Sequence, residues 1–122
     1  RVRRHISIPP ETLSVLRRAL VGVVNDPKGT AFKARSKRLT VAGKTGTAHA
    51  QSHTYHAWFA GYAPADNPRL AFAVLVEQGG HGGEIAAPIA MEILEGAFDQ
   101  LAKDTLGAAT PRLIRPAPPR SP

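Results

Sequence analysis

The sequence contains no cysteine. That excludes disulfides, thiolate zinc sites and cysteine nucleophiles, and it leaves the compartment open. Long hydrophobic runs are missing too. Stretches such as Leu70 to Val76 are about seven residues, against the roughly 20 that a membrane span needs. Neither a span nor a cleavable N-terminal signal is read from the chain. Acidic groups are scarce at the start: residues 1–47 hold 2 acidic and 11 basic side chains. Residues 48–106 reverse the balance, with 7 acidic against 2 basic, and residues 107–122 add 3 basic groups. The net charge is +7. The first part of the chain is therefore prepared to meet an anion. What is present looks globular. Of 122 residues, 43% are hydrophobic and 20% charged, enough for one domain with its own core.

The pattern predicts an order of helix, strand, strand, strand, helix. Residues 1–8 are basic and then alternating, and read as a strand or arm that needs a neighbour. Pro9-Pro10 opens a helix whose stripe is Leu13, Leu16, Leu20 and Val23. It should stop near Asn25-Asp26-Pro27, because a residue before proline avoids helical geometry. Residues 28–40 read as a basic loop. Residues 41–48, 56–63 and 70–77 read as strands. The last is almost wholly apolar, as for a central strand covered on both faces. Residues 78–83 (QGGHGG) read as a flexible junction. The clearest helix spans about 84–102. Ile85, Ile89, Ile93, Ala97 and Leu101 form one row, and Ala86, Ala90, Leu94, Phe98 and Ala102 form its shadow. Pro88 fits only in the first turn. Residues 107–122 hold five of the eleven prolines and read as a disordered tail. Short connections between strands favour antiparallel pairing, and both helical stripes should pack on the sheet. With about three strands, the outer edge should be open.

Gly43-Lys44-Thr45-Gly46-Thr47-Ala48 concentrates chemistry on one strand. A lysine with neighbouring hydroxyls suits a carboxylate. Glycine lets a ligand's backbone lie close, and an edge N–H can point at a developing oxyanion. Simple alternation sets Lys44 opposite Thr45 and Thr47, so a substrate must lie along the strand's edge to meet all three. The bland alternative is a strand with one surface lysine. A phosphate loop is disfavoured, because its glycine spacing is missing upstream of Lys44.

Four blocks in order carry a resemblance: GKTGTA at 43–48, HAWFAGYAP at 56–64, LAFAVLVEQGG at 70–80 and GGEIAAPIAMEIL at 82–94. With VVNDPKGTA at 23–31, they resemble the C-terminal part of class B penicillin-binding proteins. The similarity is greatest to the elongation type, the penicillin-binding protein 2-like D,D-transpeptidases, over about residues 7–100. The resemblance implies roles at matching positions. Lys44 resembles the lysine that favours anions in the site and contacts the serine of the family's second motif. Thr45 and Thr47 resemble the hydroxyls that hold the carboxylate of a D-Ala-D-Ala stem peptide or of a β-lactam, with Gly46 between them. The backbone N–H of Thr47 resembles one of two oxyanion donors. The implied fold is α+β, an antiparallel sheet of about three strands flanked by helices, with the terminal helix on one face. It forms part of the serine β-lactamase and penicillin-binding transpeptidase fold.

The departures are as informative. No serine of Ser7, Ser14, Ser36 or Ser52 is followed three places later by lysine, and no Ser-x-Asn occurs. The chain then supplies the Lys-Thr-Gly wall without the nucleophile or its base. Residues 1–106 are expected to be an incomplete C-terminal subdomain that is inactive alone, lacking the family's membrane anchor. The implied partners are the stem peptide, β-lactams and the missing N-terminal half of the domain, with oligomerisation or element swapping through the open sheet. The implied place is extracytoplasmic, at the periplasmic face of the inner membrane. No metal or organic cofactor is implied.

Other candidates read more plainly. His49, His53 and His56 lack an accompanying carboxylate, so a solvated loop is preferred to a metal site. His81 reads as a surface residue in a junction that borders the cleft in the family. Trp58, Phe59 and Tyr62 read as core, and Glu77 as a structural or solvated carboxylate. Lys28, Lys33, Arg35, Lys37 and Arg38 form a basic run whose one aromatic is Phe32. It lacks the features of a nucleic-acid interface. A solvated loop is preferred, and anionic cell-wall polymer or membrane surface is the alternative contact. The rival function is a cationic binding module for cell-wall polymer or nucleic acid that does no chemistry.

Overall fold

The computed structural model describes residues 4–50 and 53–108, with side chains to residue 105. Helix α1 spans Pro10–Asn25. Pro10 occupies the first helical turn, where its missing N–H costs nothing, and Glu11 favours the positive end of the helix. The stop is built from side chains. Asn25 Nδ2 donates to the carbonyls of Val21 (2.8 Å) and Val41 (2.9 Å), tying the helix end to the next strand. Asp26 Oδ1 accepts from the Lys28 N–H at 2.8 Å, turning the chain. A single 3₁₀ turn, Phe32–Ala34, interrupts the basic loop.

Three strands follow: β1 Ala42–His49, β2 Tyr55–Ala63 and β3 Leu70–Val76. They pair antiparallel in the order β1-β2-β3. The register sets Thr45 opposite Phe59 and Phe59 opposite Val74. Odd residues of β1 and β2 and even residues of β3 therefore share one face. Helix α2, Ala86–Ala108, lies against β2 and β3. The core includes Phe59, Ala57, Ala63, Val24, Val41, Ala90, Met91 and Leu94, with Phe72 and Val74 packed against it.

The structure corrects several expectations. Strand β3 is an edge of the described sheet, and β2 is its centre. Its residues alternate between half-buried and exposed, so among the described residues one face of this strand is packed and its other face is open. The covered row of α2 is Ala86, Ala87, Ala90, Met91 and Leu94, while Ile85, Ile89 and Ile93 stay exposed. Alanines let the helix approach the sheet closely, so the bulkier row turns outward. Helix α1 buries only Val24 fully, and its expected stripe is incompletely covered, with Leu16 exposed. Of the three aromatics expected in the core, Phe59 is fully buried, Tyr62 is half-buried and Trp58 is exposed. Helix α2 reaches Ala108, two residues into the segment expected to be a tail. The rest of that segment, 109–122, lies outside the described residues. No helix in the described residues is long and apolar enough to cross a membrane.

Candidate functional site

Strand β1 carries the motif at one edge of the sheet. Phe59 explains its first glycine. A Cβ at Gly43 would lie 2.8 Å from the Phe59 ring and 2.8 Å from the Ala60 carbonyl oxygen. That glycine is required by internal packing, whatever approaches from outside. The second, Gly46, is overlaid by the junction before α2. A Cβ on Gly82 would meet the Trp58 oxygen at 2.2 Å and the Gly46 oxygen at 2.5 Å. Gly82 is thus pressed onto the Gly46–Trp58 pair, backbone against backbone.

This junction is held by hydrogen bonds. The Gly80 N–H donates to the Tyr55 carbonyl (3.0 Å), and the Ile85 and Ala87 amides donate to the carbonyls of His81 and Gly82. Gly80 has φ +84°, a left-handed conformation that suits glycine. The result brings His81, Gly82, Gly83 and Glu84 to Thr45 and Thr47, where with Thr30 they line a cavity of about 260 Å³. Thr45 and Thr47 thus share one opening. His81, expected at the surface, is exposed and also lines it. Glu84 is the acidic side chain of this lining.

Lys44 projects from the opposite face. It lines a separate cavity with Gly22, Val23, Asp26, Lys28, Gly29 and Thr30. Its Nζ folds back over the strand edge to donate to the Thr45 carbonyl at 2.8 Å. The cation is therefore carried round toward the hydroxyl side. The edge itself has a definite polarity. Val41 offers its carbonyl to Asn25 of α1 and Thr45 offers its carbonyl to Lys44, whereas Thr40 accepts from Ala65 beyond β2. Odd residues of β1 thus turn their backbone groups away from β2. By that alternation the Thr47 N–H also faces the unpaired edge.

Thr30 joins these parts, and sequence reasoning passed over it. Its hydroxyl lies 2.7 Å from that of Thr45. It lines both cavities above and a third with Pro27, Phe32, Lys33, Glu84 and Pro88. The one advance signal was its place in the VVNDPKGTA block.

The remaining candidates scatter. His49 meets Tyr55 edge-on at 5.2 Å, and Tyr55 stacks with His81 at 6.5 Å. His56 Nδ1 accepts from the Gln78 N–H. Among the described residues, no group of three or more His, Asp or Glu is placed to hold a metal ion. In the basic run, Arg35 lies 3.8 Å over the Phe32 ring. Arg38 pairs with Asp99 of α2, and Ser36 donates to Glu95. The hydrogen bond from Arg38, with its charge, holds the Asp99 carboxyl below the usual carboxylate range, and Asp99 in turn raises Arg38. Glu77 is exposed.

Comparison with known proteins gives these features a context. The pattern of the penicillin binding protein transpeptidase domain matches residues 1–95. The peptidoglycan D,D-transpeptidase MrdA of Haemophilus influenzae is 36% identical over 100 residues, covering 69% of this chain and 15% of that protein. The crystal structure of Pseudomonas aeruginosa PBP2 in complex with WCK 5153 superposes with a TM-score of 0.66 at 35% identity, over 75% of this chain and 20% of that one. The D,D-transpeptidase domain of a peptidoglycan glycosyltransferase from Eggerthella lenta superposes with a TM-score of 0.64 at 33% identity, over 80% and 24%. The chain thus spans about a fifth or less of the length of the curated relatives it matches. On the match over residues 1–95, the sheet with its flanking helices and the ordered motif blocks, the chain belongs to the penicillin-binding protein transpeptidase family, as a part of its domain.

Proposed function

We propose that this chain forms one wall of the active site of a peptidoglycan D,D-transpeptidase that works by serine acyl transfer. Residues 1–106 are an incomplete subdomain in this reading, and the nucleophile and its base come from the rest of the domain. The carrying observation is that Thr45 and Thr47 open into one cavity on a strand whose outer edge no described strand pairs; alternation along β1 turns the Thr47 N–H toward that edge. A stem peptide lying along that edge sets its terminal carboxylate against the hydroxyls of Thr45 and Thr47, with Lys44 supplying positive charge. The D-Ala-D-Ala carbonyl then stands beside the Thr47 N–H. Serine attack puts negative charge on its oxygen, which that N–H stabilises as it develops. D-Ala leaves, and the amine of a second stem takes the acyl group. A β-lactam presents the same carboxylate and carbonyl, and stops at the acyl-enzyme. The site would face the periplasm, where this substrate is built into the wall.

Labelling with a fluorescent penicillin tests the reading. The full-length protein carrying this segment should become covalently labelled, and the 122 residues alone should not. A label on the isolated chain would overturn the assignment of the nucleophile to the missing half. In the full-length protein, Lys44→Ala should slow acylation by about tenfold to a hundredfold, the scale of a lost charge-assisted contact. An unchanged rate would remove Lys44 from the site.

A further inference from the structure

Thr30 is mounted more firmly than an exposed loop threonine needs to be. On one side, Gly29 donates to the Asp26 carbonyl at 2.8 Å and Ala31, fully buried, donates to the Val23 carbonyl at 3.0 Å. A Cβ at Gly29 would lie 2.3 Å from the Val23 oxygen, so the loop lies directly on the end of α1. On the other side, a Cβ at Gly83 would lie 2.1 Å from the Thr30 carbonyl oxygen. Thr30 is clamped between the end of α1 and the junction before α2. Its hydroxyl stands 2.7 Å from the Thr45 hydroxyl.

A hydroxyl has one hydrogen to give and two acceptor sites. In an isolated pair of hydroxyls either can donate. An anion beside Thr45 removes that freedom, because it accepts the Thr45 hydrogen and offers none. Thr45 can then only accept from Thr30. Once the anion is in place, the fixed Thr30 oxygen thereby holds the Thr45 hydroxyl with its hydrogen turned to the anion.

We propose that Thr30 is a positioning residue for carboxylate recognition: it donates to Thr45 and so directs the Thr45 hydrogen at the carboxylate of the stem peptide or β-lactam. This rests on the reading that Thr45 and Thr47 hold that carboxylate. Lys44 and Thr47 provide charge and further donors, and Thr30 acts through Thr45 alone.

The experiment uses the full-length protein and measures second-order acylation by benzylpenicillin and by its methyl ester, in which the carboxylate is masked. The variants are Thr30→Val, Thr30→Ser, Thr45→Val and the Thr30→Val/Thr45→Val double variant. Thr30→Val should slow acylation by benzylpenicillin about fivefold to tenfold, the scale of one oriented hydrogen bond, and leave the ester's slower rate unchanged. Thr30→Ser should restore the acid's rate to within about twofold, because the donor is returned. The double variant should be no slower than Thr45→Val, because Thr30 acts through Thr45; a further loss would show Thr30, which lines the same cavity, touching the ligand directly, and would overturn the positioning role. Thr30→Val at the wild-type rate overturns the proposal. So does an equal loss for acid and ester, which marks general disturbance of the site; melting temperatures report the same disturbance independently. A wild-type protein that is not acylated, or a Thr45→Val variant as fast as wild type, overturns the carboxylate reading and this proposal together. Failure confined to the Thr30 variants leaves that reading standing.

Discussion

Trp58 and Phe59 are adjacent in β2 and point to opposite faces of the sheet. Phe59 is fully buried against α2 and the Phe72 ring, whose centroid is 5.2 Å away, whereas Trp58 keeps 39% of its surface exposed. Around Phe59 lie Ala57, Ala63, Ala90, Met91 and Leu94, all buried. On Trp58's face the register assembles Ala60, Ala71, Ala73 and Leu75, which are as apolar but exposed among the described residues, whereas toward β1 and α1 Tyr62 is half-buried and Ala42 fully buried. Composition thus does not distinguish the faces; a covering helix does. Val15 and Leu16 of α1 are also left exposed. The open face is apolar enough to be a core face of a larger domain. That agrees with the chain's spanning only part of its relatives.

The comparison can be broken at graded strengths. Phe59→Ala should have the largest effect, costing about 3–5 kcal/mol in chemical unfolding of the full-length protein, the usual range for a buried aromatic. Gly82→Ala comes next, at about 2–3 kcal/mol, because its Cβ meets backbone oxygens that cannot move aside as a side chain can. It should also slow acylation, since the same junction carries His81 and Gly83 to the site. Trp58→Ala sharpens the contrast most directly. If the missing half covers this face, truncation in the full-length protein costs about 1–2 kcal/mol; a loss below about 0.5 kcal/mol would mark the face as solvent-exposed there too.

The Arg38–Asp99 pair should have the smallest effect, because both side chains are exposed and water screens them. Its sign is still defined. The hydrogen bond and charge of Arg38 lower the Asp99 carboxyl in the folded state, so the stabilisation is present above the unfolded carboxylate range. It is lost as pH falls through the folded value. Melting temperatures of wild type and Asp99→Asn should differ slightly at neutral pH, start to converge as pH falls below about 4, the ordinary aspartate value, and coincide only below the lowered folded value. A gap that persists in acid would show that the pair is not its source.

Much of the local structure was legible from local chemistry. Pro10 and Asn25-Asp26-Pro27 bound α1 as expected, because both signals act on their own backbone. The β2 and β3 boundaries fell within a residue of expectation. The choice between the two rows of α2 was not legible. Ile85, Ile89 and Ile93 are the more hydrophobic row, yet the smaller one packs, because approach distance is a property of two surfaces and not of one helix. Gly43 was legible as a close-approach residue, but what approaches is Phe59, sixteen places along the chain. Thr30 was missed because its partner is fifteen residues away on another element.

By itself, the sequence determined the alternation of each strand, the ends of α1 and the ordered blocks that carry the family relationship. These follow from dihedral preference and period, which neighbouring residues settle among themselves. Tertiary structure alone decided which sheet face is covered, that Gly82 rests on Gly46, that Lys44 bends back to Thr45, and that a loop hydroxyl meets a strand hydroxyl. Each of these is a contact between distant parts of the chain, and its geometry exists only once helix, sheet and junction have packed.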